Sequence, residues 1–483
     1  MSTLRNQVSA LRKSSVALES ELVGFSGPPF ARGGTWGGTR ITWLRSRRVL
    51  TLVLLLSAAL LGDPASAKDK TAGADADRHD ASQSEIRLGM SADFSASARA
   101  LSIELYRGAM AYLLPVNNAG GVNGRRVVIK AYDDQYEPDL AIRNTLKLMH
   151  EDDVFALFSY VGTPTMNRTL PLLRMHHDKD FLLLFPFTGA DTNRIPPYDQ
   201  LSLNLRASYD QEMKGLVDHL VAVNRTRIAV FYQADAYGRA GWGGLREALD
   251  EHGLEIAGEA TYRRGSPFDQ SYDRQVAIMQ RLQPDAVVCV GTYPACAGFV
   301  RDMRDRSVDC PIAMISFVGD GAMLELLSAA ERESNKDYTS RLVSSQVVPS
   351  YNDDSIPAAR EYRQAMDRYR DAIMPPDSLL YPHGKTAEQE YAPLRYDSIS
   401  FEGYLNAKLF VTILQRMGAD PRRADLAATV LAMGDFDLGM GQPLSFGGAT
   451  ARRQASDQVY YTVVRDGRFV PFRNDEWEAW AKR

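Results

Sequence analysis

Hydroxyl groups and glycines occupy several short segments that follow apolar runs in the first half of the chain. Ser91 follows one run, Gly162-Thr163-Pro164-Thr165 follows another, and Thr188-Gly189 follows a third. In an open α/β sheet, the loops at the carboxyl ends of the strands form the ligand crevice. These loops supply hydrogen-bonding groups but no combination of acid, base and nucleophile. The residue types therefore favour reversible binding over catalysis.

Catalytic and metal-binding motifs are the alternative, and the sequence gives them little support. It contains no G-x-S-x-G motif, P-loop or dinucleotide-binding fingerprint. The cluster His176-His177-Asp178 consists of adjacent residues, which do not face one another on a helix. Asp133 and Asp134 would point in opposite directions in an extended segment. We therefore predict a protein that is not an enzyme and uses no cofactor and no metal.

Strand patterns that alternate with helical patterns must position these loops. The first series has predicted strands at Ile86–Met90, Val127–Tyr132 and Val154–Tyr160, and helices at about Leu101–Asn117 and at Pro138–His150. The second series begins near Arg227 and has predicted strands at Ile228–Tyr232, Ile256–Tyr262, Ala286–Val290 and Ile312–Phe317. Such alternation is typical of parallel sheets covered by helices. We expect two similar α/β lobes in tandem.

The carboxy-terminal part has a different pattern. An irregular Pro-rich segment at Met374–Tyr396 precedes an apolar-periodic helix at Ser398–Met417, and a hairpin turned at Asp466-Gly467 closes the chain. A part that returns to both lobes would supply several hinge strands between them, so that the lobes open and close as rigid bodies. The predicted lobes are 85–205 plus about 346–445, and 206–345 plus about 446–483.

Composition limits the class of protein and its partners. The 483 residues are enough for more than one domain, and a net charge of -4 gives no basic footprint for nucleic acid. The three cysteines, Cys289, Cys296 and Cys310, match no zinc pattern. We expect them to be small buried residues, while a disulfide between Cys296 and Cys310 stays open.

The amino-terminal segment has the pattern of an export signal. Three arginines within 45–48 precede an apolar run at Val49–Leu61, and Ala65-Ser66-Ala67 follows as an A-x-A cleavage site. The run is short for a membrane span, and no cysteine precedes Cys289, which argues against a lipoprotein signal. Either the signal has a long amino-terminal extension or the true start lies downstream. We expect a signal at 1–67, a disordered leader at 68–84, and a mature periplasmic chain that begins near Lys68.

An ordered series of motifs resembles one protein family. The motifs are Val116-Asn117-Asn118-Ala119-Gly120-Gly121-Val122-Asn123-Gly124-Arg125 followed by Asp133-Asp134, Val161-Gly162-Thr163-Pro164-Thr165, Phe187-Thr188-Gly189-Ala190, Tyr232-Gln233 with Tyr237-Gly238, Ser316-Phe317-Val318-Gly319, Gln346-Val347-Val348-Pro349 and Phe401-Glu402-Gly403-Tyr404. They resemble the type I periplasmic substrate-binding proteins of ABC transporters, in the branch that binds branched-chain amino acids, amides and urea. The series covers nearly all of Ile86–Phe472.

The resemblance implies a clamp of two Rossmann-like lobes with the ligand cleft between them. It also implies that Thr163, together with Thr188 and Gly189, holds a ligand carboxylate. Thr163 precedes Pro164, a residue favoured in the first helical turn, and a helix amino terminus suits a carboxylate. Alternatively, Thr163 is only a helix N-cap. Ser91 is expected to line the cleft.

Aromatic residues of the opposite lobe are expected to close over the ligand. By the resemblance these are Tyr237 and Tyr293, in loops that follow strands, although ordinary half-buried tyrosines would fit the same pattern. Amino-acid-binding relatives carry an acidic residue after the tyrosine-proline pair, where it holds the ligand ammonium. Here Pro294 is followed by Ala295. Asp320 would replace that anchor or would serve only as a helix N-cap.

The function implied is that of an exported solute-binding protein. It would capture a small polar ligand (an amino acid, an amide, urea or a small carboxylate) by closing, and deliver it to the permease subunits of an ABC transporter. The protein would be a monomer that meets the membrane only through the permease. Two alternatives stay open: a clamp that presents its closed form to a membrane signalling receptor, and a relative that has lost its ligand.

Overall fold

The computed structural model describes residues 85–384, 390–447 and 453–481. The predicted export signal and leader, at 1–67 and 68–84, lie outside the described residues. Within the described residues, no helix combines the length and the apolar character needed to cross a membrane.

Five parallel strands form the first sheet, in the order β2-β1-β3-β4-β5. They are β1 (Glu85–Ala92), β2 (Arg126–Asp133), β3 (Ala156–Phe158), β4 (Leu183–Leu184) and β5 (Ser202–Leu203). Leu88 of β1 pairs with Ile129 of β2 on one side and with Ala156 of β3 on the other. Most of β1 is buried, because helices cover both faces of a parallel sheet.

Seven strands form the second sheet, in the order β12-β11-β10-β9-β8-β6-β7. They are β6 (Ile228–Gln233), β7 (Gly258–Tyr262), β8 (Ala286–Val290), β9 (Ile312–Met314), β10 (Leu342–Gln346), β11 (Tyr460–Arg465) and β12 (Arg468–Pro471). The strands β6 to β10 are parallel, and the hairpin β11–β12 adds antiparallel to β10. The hairpin turns at Asp466-Gly467, where both residues have positive φ.

Helices connect the strands. They are α1 (Arg99–Asn118), α2 (Pro138–His150), α3 (Thr163–Met175), α4 (Tyr209–Ala222), α5 (Ala236–Glu251), α6 (Asp273–Leu282), α7 (Tyr293–Asp305), α8 (Asp320–Ser334), α9 (Pro357–Tyr369), α10 (Asp377–Leu380), α11 (Ser398–Met417), α12 (Leu426–Leu431) and α13 (Trp477–Ala481). The described part of the irregular segment predicted at Met374–Tyr396 thus contains one short helix, α10.

The chain passes between the two sheets three times: after β5, after β10 and before β11. After β10 it returns to the first sheet, because side chains of α9 and α11 share one hydrophobic core with β1 and β3. Next to β5, Asn204 pairs with Gln454, so two of the crossing segments run side by side. We call the first sheet with its helices the first lobe and the second sheet with its helices the second lobe. We propose that they divide near residues 205, 346 and 445.

The two lobes are in contact, because one hydrophobic cluster combines residues of both. Met90 and Phe187 of the first lobe belong to the same buried cluster as Tyr237 and Phe317 of the second. The ends of β1, β4, β6 and β9 therefore meet at one place, and this place contains the predicted cleft.

Candidate ligand-binding site

The amino terminus of α3 is the centre of the site. Gly162 is the N-cap residue, with a φ of 103°, and Thr163 is the first helical residue. No side chain caps this helix, so the alternative that Thr163 is an N-cap is wrong. Its hydroxyl instead makes a 2.8 Å hydrogen bond with the hydroxyl of Thr188, and both side chains are buried. The backbone keeps these two loops together, since the Gly162 N–H donates to the Phe187 carbonyl.

Two tyrosine rings lie directly on the glycines of these loops. A Cβ at Gly162 would be 2.1 Å from Cε2 of Tyr136, and a Cβ at Gly189 would be 2.5 Å from Cδ1 of Tyr209. Only glycine therefore allows each ring to approach. Tyr136 follows β2 in the first lobe, and Tyr209 begins α4 in the second.

The hydroxyls of these two tyrosines are buried and have no hydrogen-bond partner within the part of the chain that the structure describes. Burial raises the pKa of both phenols, so both remain neutral donors at physiological pH. The side chain of Gln233 opposes the rise for Tyr136, and the charge of Arg206 and the side chain of Thr188 oppose it for Tyr209. Gln233 and Thr188 lie near these phenols without the geometry of a hydrogen bond. A buried hydroxyl without a partner carries a free-energy penalty of about 1–3 kcal/mol. Such groups mark a place where a ligand can restore the missing bonds.

Rings from both lobes form an aromatic cluster, defined here as Tyr136, Phe187, Tyr209, Tyr237 and Phe317. Phe317 lies at its centre, with ring centroids 4.5 Å from Tyr237, 5.2 Å from Phe187 and 6.4 Å from Tyr136. The rings of Tyr209 and Tyr237 are 5.5 Å apart. The cluster supplies a large apolar surface with polar edges.

Two arginines lie beneath this cluster, of which Arg206 is buried and Arg194 is half-buried. The guanidinium of Arg206 is 4.6 Å from the Phe187 ring centroid and lies 3.6 Å from Glu212 and 3.5 Å from Glu402. Burial raises the pKa of Glu402 to about 7, although Arg206 opposes the rise. Arg194 donates to the carbonyl of Thr188 at 3.2 Å and so supports the threonine loop.

A partly exposed ion pair connects the lobes at the edge of the cluster. Arg264, which follows β7, binds Glu137 of the first lobe at 3.0 Å and approaches Asp235 at 3.5 Å. Its guanidinium also lies 5.6 Å from the ring centroid of Tyr136. These contacts hold the second lobe against the turn that carries Tyr136.

Comparison with known proteins identifies the family. A family model described as "Periplasmic binding protein" matches residues 85–468. This chain belongs to the periplasmic binding protein family. The family consists of solute-binding proteins and is not an enzyme class, so the prediction of a non-enzymatic protein is confirmed.

Curated relatives match part of this periplasmic binding protein. An amino acid binding protein of Pseudomonas aeruginosa is 22% identical over 227 residues, which are 46% of this chain and 58% of that relative. The Leu/Ile/Val-binding protein homolog 3 of Brucella melitensis is 23% identical over 231 residues, or 47% of this chain and 60% of that relative. The chain thus spans about three fifths of the length of these relatives.

Solved structures match more completely. A possible leucine/isoleucine/valine-binding protein from Rhodopirellula baltica has a TM-score of 0.70 and 27% identity. The match covers 82% of this chain and 98% of the Rhodopirellula chain. A branched chain amino acid ABC transporter structure from Thermus thermophilus with bound valine has a TM-score of 0.67 and 14% identity. The match covers 80% of this chain and 95% of the Thermus chain, and it shows the shared fold. The predicted two-lobed α/β fold is confirmed.

Four of the predicted site residues come together in this binding protein. Thr163 bonds to Thr188, the Gly189 carbonyl accepts the N–H of Tyr209, and the Tyr209 ring packs on Tyr237. Tyr237 is not in a loop as predicted, because the Asp235 side chain caps α5, which begins at Ala236 and so includes Tyr237. That these four residues bind a ligand stays a prediction.

The other three predicted residues have different partners. Ser91 donates to Asp134 at 2.7 Å. Tyr293 is the first residue of α7 rather than a loop residue. Burial raises the pKa of its phenol to about 12, and the Ala100 N–H, at the start of α1, opposes the rise. Their roles in binding also stay predictions.

Asp320 lies where the lobes meet. It is the first residue of α8, Gly319 is the N-cap, and its carboxylate accepts from the Gln346 amide at 2.7 Å. A Cβ at the adjacent Gly321 would be 2.2 Å from Oδ2 of Asp397, the residue that caps α11 of the first lobe. Two buried carboxylates therefore approach each other at this junction. Burial raises the pKa of Asp320 to about 6 and that of Asp397 well above its usual value.

Sequence reasoning missed Tyr136, Tyr209 and Arg206. Each is a residue type that is common on surfaces, and none stands at a recognisable motif position. The one available signal was the position of Tyr136, two residues after the Asp133-Asp134 turn. The three cysteines are free, which leaves the disulfide between Cys296 and Cys310 unformed.

Proposed function

We propose that this protein is an exported solute-binding protein that captures a small polar ligand between its lobes and delivers it to an ABC permease. The hydroxyl pair of Thr163 and Thr188, 2.8 Å apart at the start of α3, is the observation that carries the proposal. The candidate ligands are amino acids, amides, urea and small carboxylates. Relatives that are named for binding leucine, isoleucine and valine support the amino acids among these candidates.

The polar head of the ligand would bind at the start of α3. The first turn of a helix has backbone N–H groups without intrahelical partners and carries the positive end of the helix dipole. Pro164 has no N–H, and the Thr165 hydroxyl donates to the carbonyls of Val161 and Gly162. The Thr163 hydroxyl and the backbone N–H groups of Thr163 and Thr165 are therefore the donors best suited to a carboxylate.

Binding would stabilise the closed clamp. A ligand shifts a conformational equilibrium only if it binds the two states with different affinity. A ligand held by Thr163 of the first lobe and by Tyr209 and Tyr237 of the second would meet this condition. Small-angle scattering should then give a smaller radius of gyration with ligand than without it. An unchanged curve at saturation would contradict closure.

A thermal-shift screen of the four ligand classes, followed by calorimetry, tests the proposal. A ligand at 100 times its dissociation constant should stabilise the protein by about 2.7 kcal/mol. Thr163→Val should weaken binding about tenfold to a hundredfold, since it removes a hydrogen bond to a charged group. Thr169→Val is the matched control, because Thr169 is buried in the same helix and donates to the Thr165 carbonyl.

The proposal fails if no member of the panel binds, or if both threonine variants bind as the parent does. Export has its own test, because the signal lies outside the described residues. Mass spectrometry of a periplasmic fraction should find a mature amino terminus at or near Lys68. A cytoplasmic chain that still begins at Met1 would contradict export.

A further inference from the structure

We infer that the ligand is a carboxylic acid with an uncharged apolar or aromatic body and without an α-ammonium group. The inference rests on the proposed function, because it specifies the chemistry of the ligand in the same cleft. Three observations carry it: buried acids near the aromatic cluster are already engaged, guanidinium groups already lie over two of its five rings, and the unpaired hydroxyls of the cluster are neutral.

Asp235 lies beside the second-lobe side of the cluster, at the N-cap of the helix that carries Tyr237. One carboxylate oxygen accepts from the N–H groups of Tyr237 and Gly238, and the other accepts from the Gln233 amide at 2.7 Å. Arg264 also approaches the second oxygen at 3.5 Å. An incoming ammonium would have to displace these partners.

Two further buried acids are engaged in the same way. Glu212 accepts from the backbone N–H and the hydroxyl of Ser316 and from the Ser345 hydroxyl, and it faces Arg206. Asp134 accepts from the Ser91 hydroxyl and from the N–H of Tyr136. Ammonium groups are rarely buried without an anionic partner, because their desolvation has a high free-energy cost. This environment therefore disfavours a ligand ammonium.

The aromatic faces give no substitute for such an acid. An ammonium can bind over a ring face within about 6 Å of the centroid. The guanidinium of Arg206 already lies 4.6 Å from the Phe187 centroid, and that of Arg264 lies 5.6 Å from the Tyr136 centroid. These guanidinium groups already occupy positions at which a ligand ammonium would otherwise bind to the two rings.

The unpaired groups of the aromatic cluster itself are neutral donors, and beneath it Nε and Nη1 of Arg206 also lack a hydrogen-bond partner within the described residues. The hydroxyls of Tyr136 and Tyr209 are buried and unpaired within the described residues, and burial raises the pKa of each phenol. They can donate to the oxygen atoms of an acid, while their rings and that of Phe317 offer apolar contact area. A carboxylate head and an aromatic or branched apolar body would match both features.

Calorimetry with two pairs of ligands tests the inference on the mature chain at neutral pH. The pairs are 4-methylpentanoate with L-leucine and 3-phenylpropanoate with L-phenylalanine, which share a carbon skeleton and differ in the ammonium group. We expect the acid without the ammonium to bind about a hundredfold more tightly in at least one pair. Thr163→Val should weaken both members of that pair alike and leave their ratio unchanged, because the two share the carboxylate.

Several outcomes would overturn the inference. An amino acid that binds as tightly as its partner acid would show that the ammonium finds an anion in the cleft. Binding of glycine betaine would place a cation in the aromatic cluster. Binding of urea or an amide alone would overturn the inference and leave the proposed function intact, whereas the absence of any binding would overturn both.

Discussion

The two sides of the cleft use their hydroxyl groups differently. On the first-lobe side, the hydroxyls of Thr163 and Thr188 bond to each other, and the Thr188 hydroxyl also accepts from the Ala190 N–H at 3.3 Å. The Tyr136 hydroxyl is unpaired within the described residues. Because its partner is another hydroxyl, the Thr163 hydroxyl can turn towards a ligand without leaving a backbone group unpaired, whereas the Thr188 hydroxyl also holds the Ala190 N–H. The first-lobe side is therefore suited to recognising the polar head of a ligand.

On the second-lobe side, hydroxyls hold loops together. Tyr237 donates to the carbonyl of Gly291 at 3.1 Å. Tyr262 donates to Gln233 at 3.1 Å and accepts from the N–H of Thr292 at 2.8 Å. These bonds fix the ring of Tyr237 against Phe317, so this side provides shape rather than exchangeable hydrogen bonds. Tyr209 is the exception, since its hydroxyl is unpaired.

Gly162→Ala should have the largest effect, because it disturbs the first-lobe side directly. The new Cβ would be 2.1 Å from the Tyr136 ring, and the φ of 103° is strained for alanine. We expect the free energy of unfolding to fall by about 1–3 kcal/mol and ligand binding to be lost. Gly243→Ala is the control, since a Cβ there meets nothing within 4 Å. Parental affinity in Gly162→Ala would mean that the head group binds elsewhere.

The junction of the lobes gives a prediction for pH. Burial raises the pKa of Asp320 to about 6 and raises that of Asp397, whereas an unfolded Asp has a pKa of about 3.9. The folded state thus binds more protons than the unfolded state between these values, and its stability falls as pH rises from about 4 through 6. Asp320→Asn should flatten this profile, by about 2 kcal/mol across the window.

Chemical denaturation at a series of pH values measures this effect. Asp367→Asn is the control, because a hydrogen bond from Arg395 holds the pKa of Asp367 below its usual value. Removal of the Asp367 carboxyl therefore cannot flatten the dependence of stability on pH between about 4 and 6. An Asp320→Asn profile parallel to that of the parent would show that this carboxyl does not titrate at the junction.

Tyr136→Phe and Tyr209→Phe should separate binding from stability. Each removes a buried hydroxyl without a partner, so we expect binding to weaken about tenfold while the melting temperature does not fall. Tyr362→Phe should do the reverse, because its hydroxyl bonds to Ser400 at 2.7 Å and accepts from the Asp397 N–H at 3.0 Å. Calorimetry and thermal denaturation provide the two readouts. A lower melting temperature with unchanged affinity would make the tyrosines structural.

Arg264→Gln should have the smallest effect. The pair of Arg264 and Glu137 joins the lobes but is partly exposed, and such pairs contribute about 0.2–1 kcal/mol. We expect affinity to fall about twofold to fivefold at low salt and the loss to disappear at high salt. Arg306→Gln is the control, since Arg306 pairs with Asp273 within the second lobe. Equal losses of affinity in both variants would show that the ion pair between the lobes has no special role in binding.

Much of the architecture followed from local patterns. The boundaries predicted for Pro138–His150, Ala286–Val290 and Ser398–Met417 are those of the structure, because periodicity, Pro and flanking polar residues act over short distances. The strand predicted at Ile312–Phe317 ends at Met314, and a 3-10 turn begins two residues later at Ser316. That turn brings Phe317 to the centre of the aromatic cluster, which the apolar run alone did not indicate.

The sequence by itself determined two largely parallel sheets with hydroxyl-rich loops at strand ends of the first, because alternating hydrophobicity and turn residues act locally. Only the tertiary structure decided which side chains meet at those loops. Tyr136 packs on Gly162 and Tyr209 packs on Gly189 because the topology brings separate loops, and in the second pair separate lobes, to one point. The burial of Arg206 has the same origin, since its surroundings come from helices of both lobes. Contacts between segments distant in the chain depend on how the sheets are assembled, which no local pattern encodes.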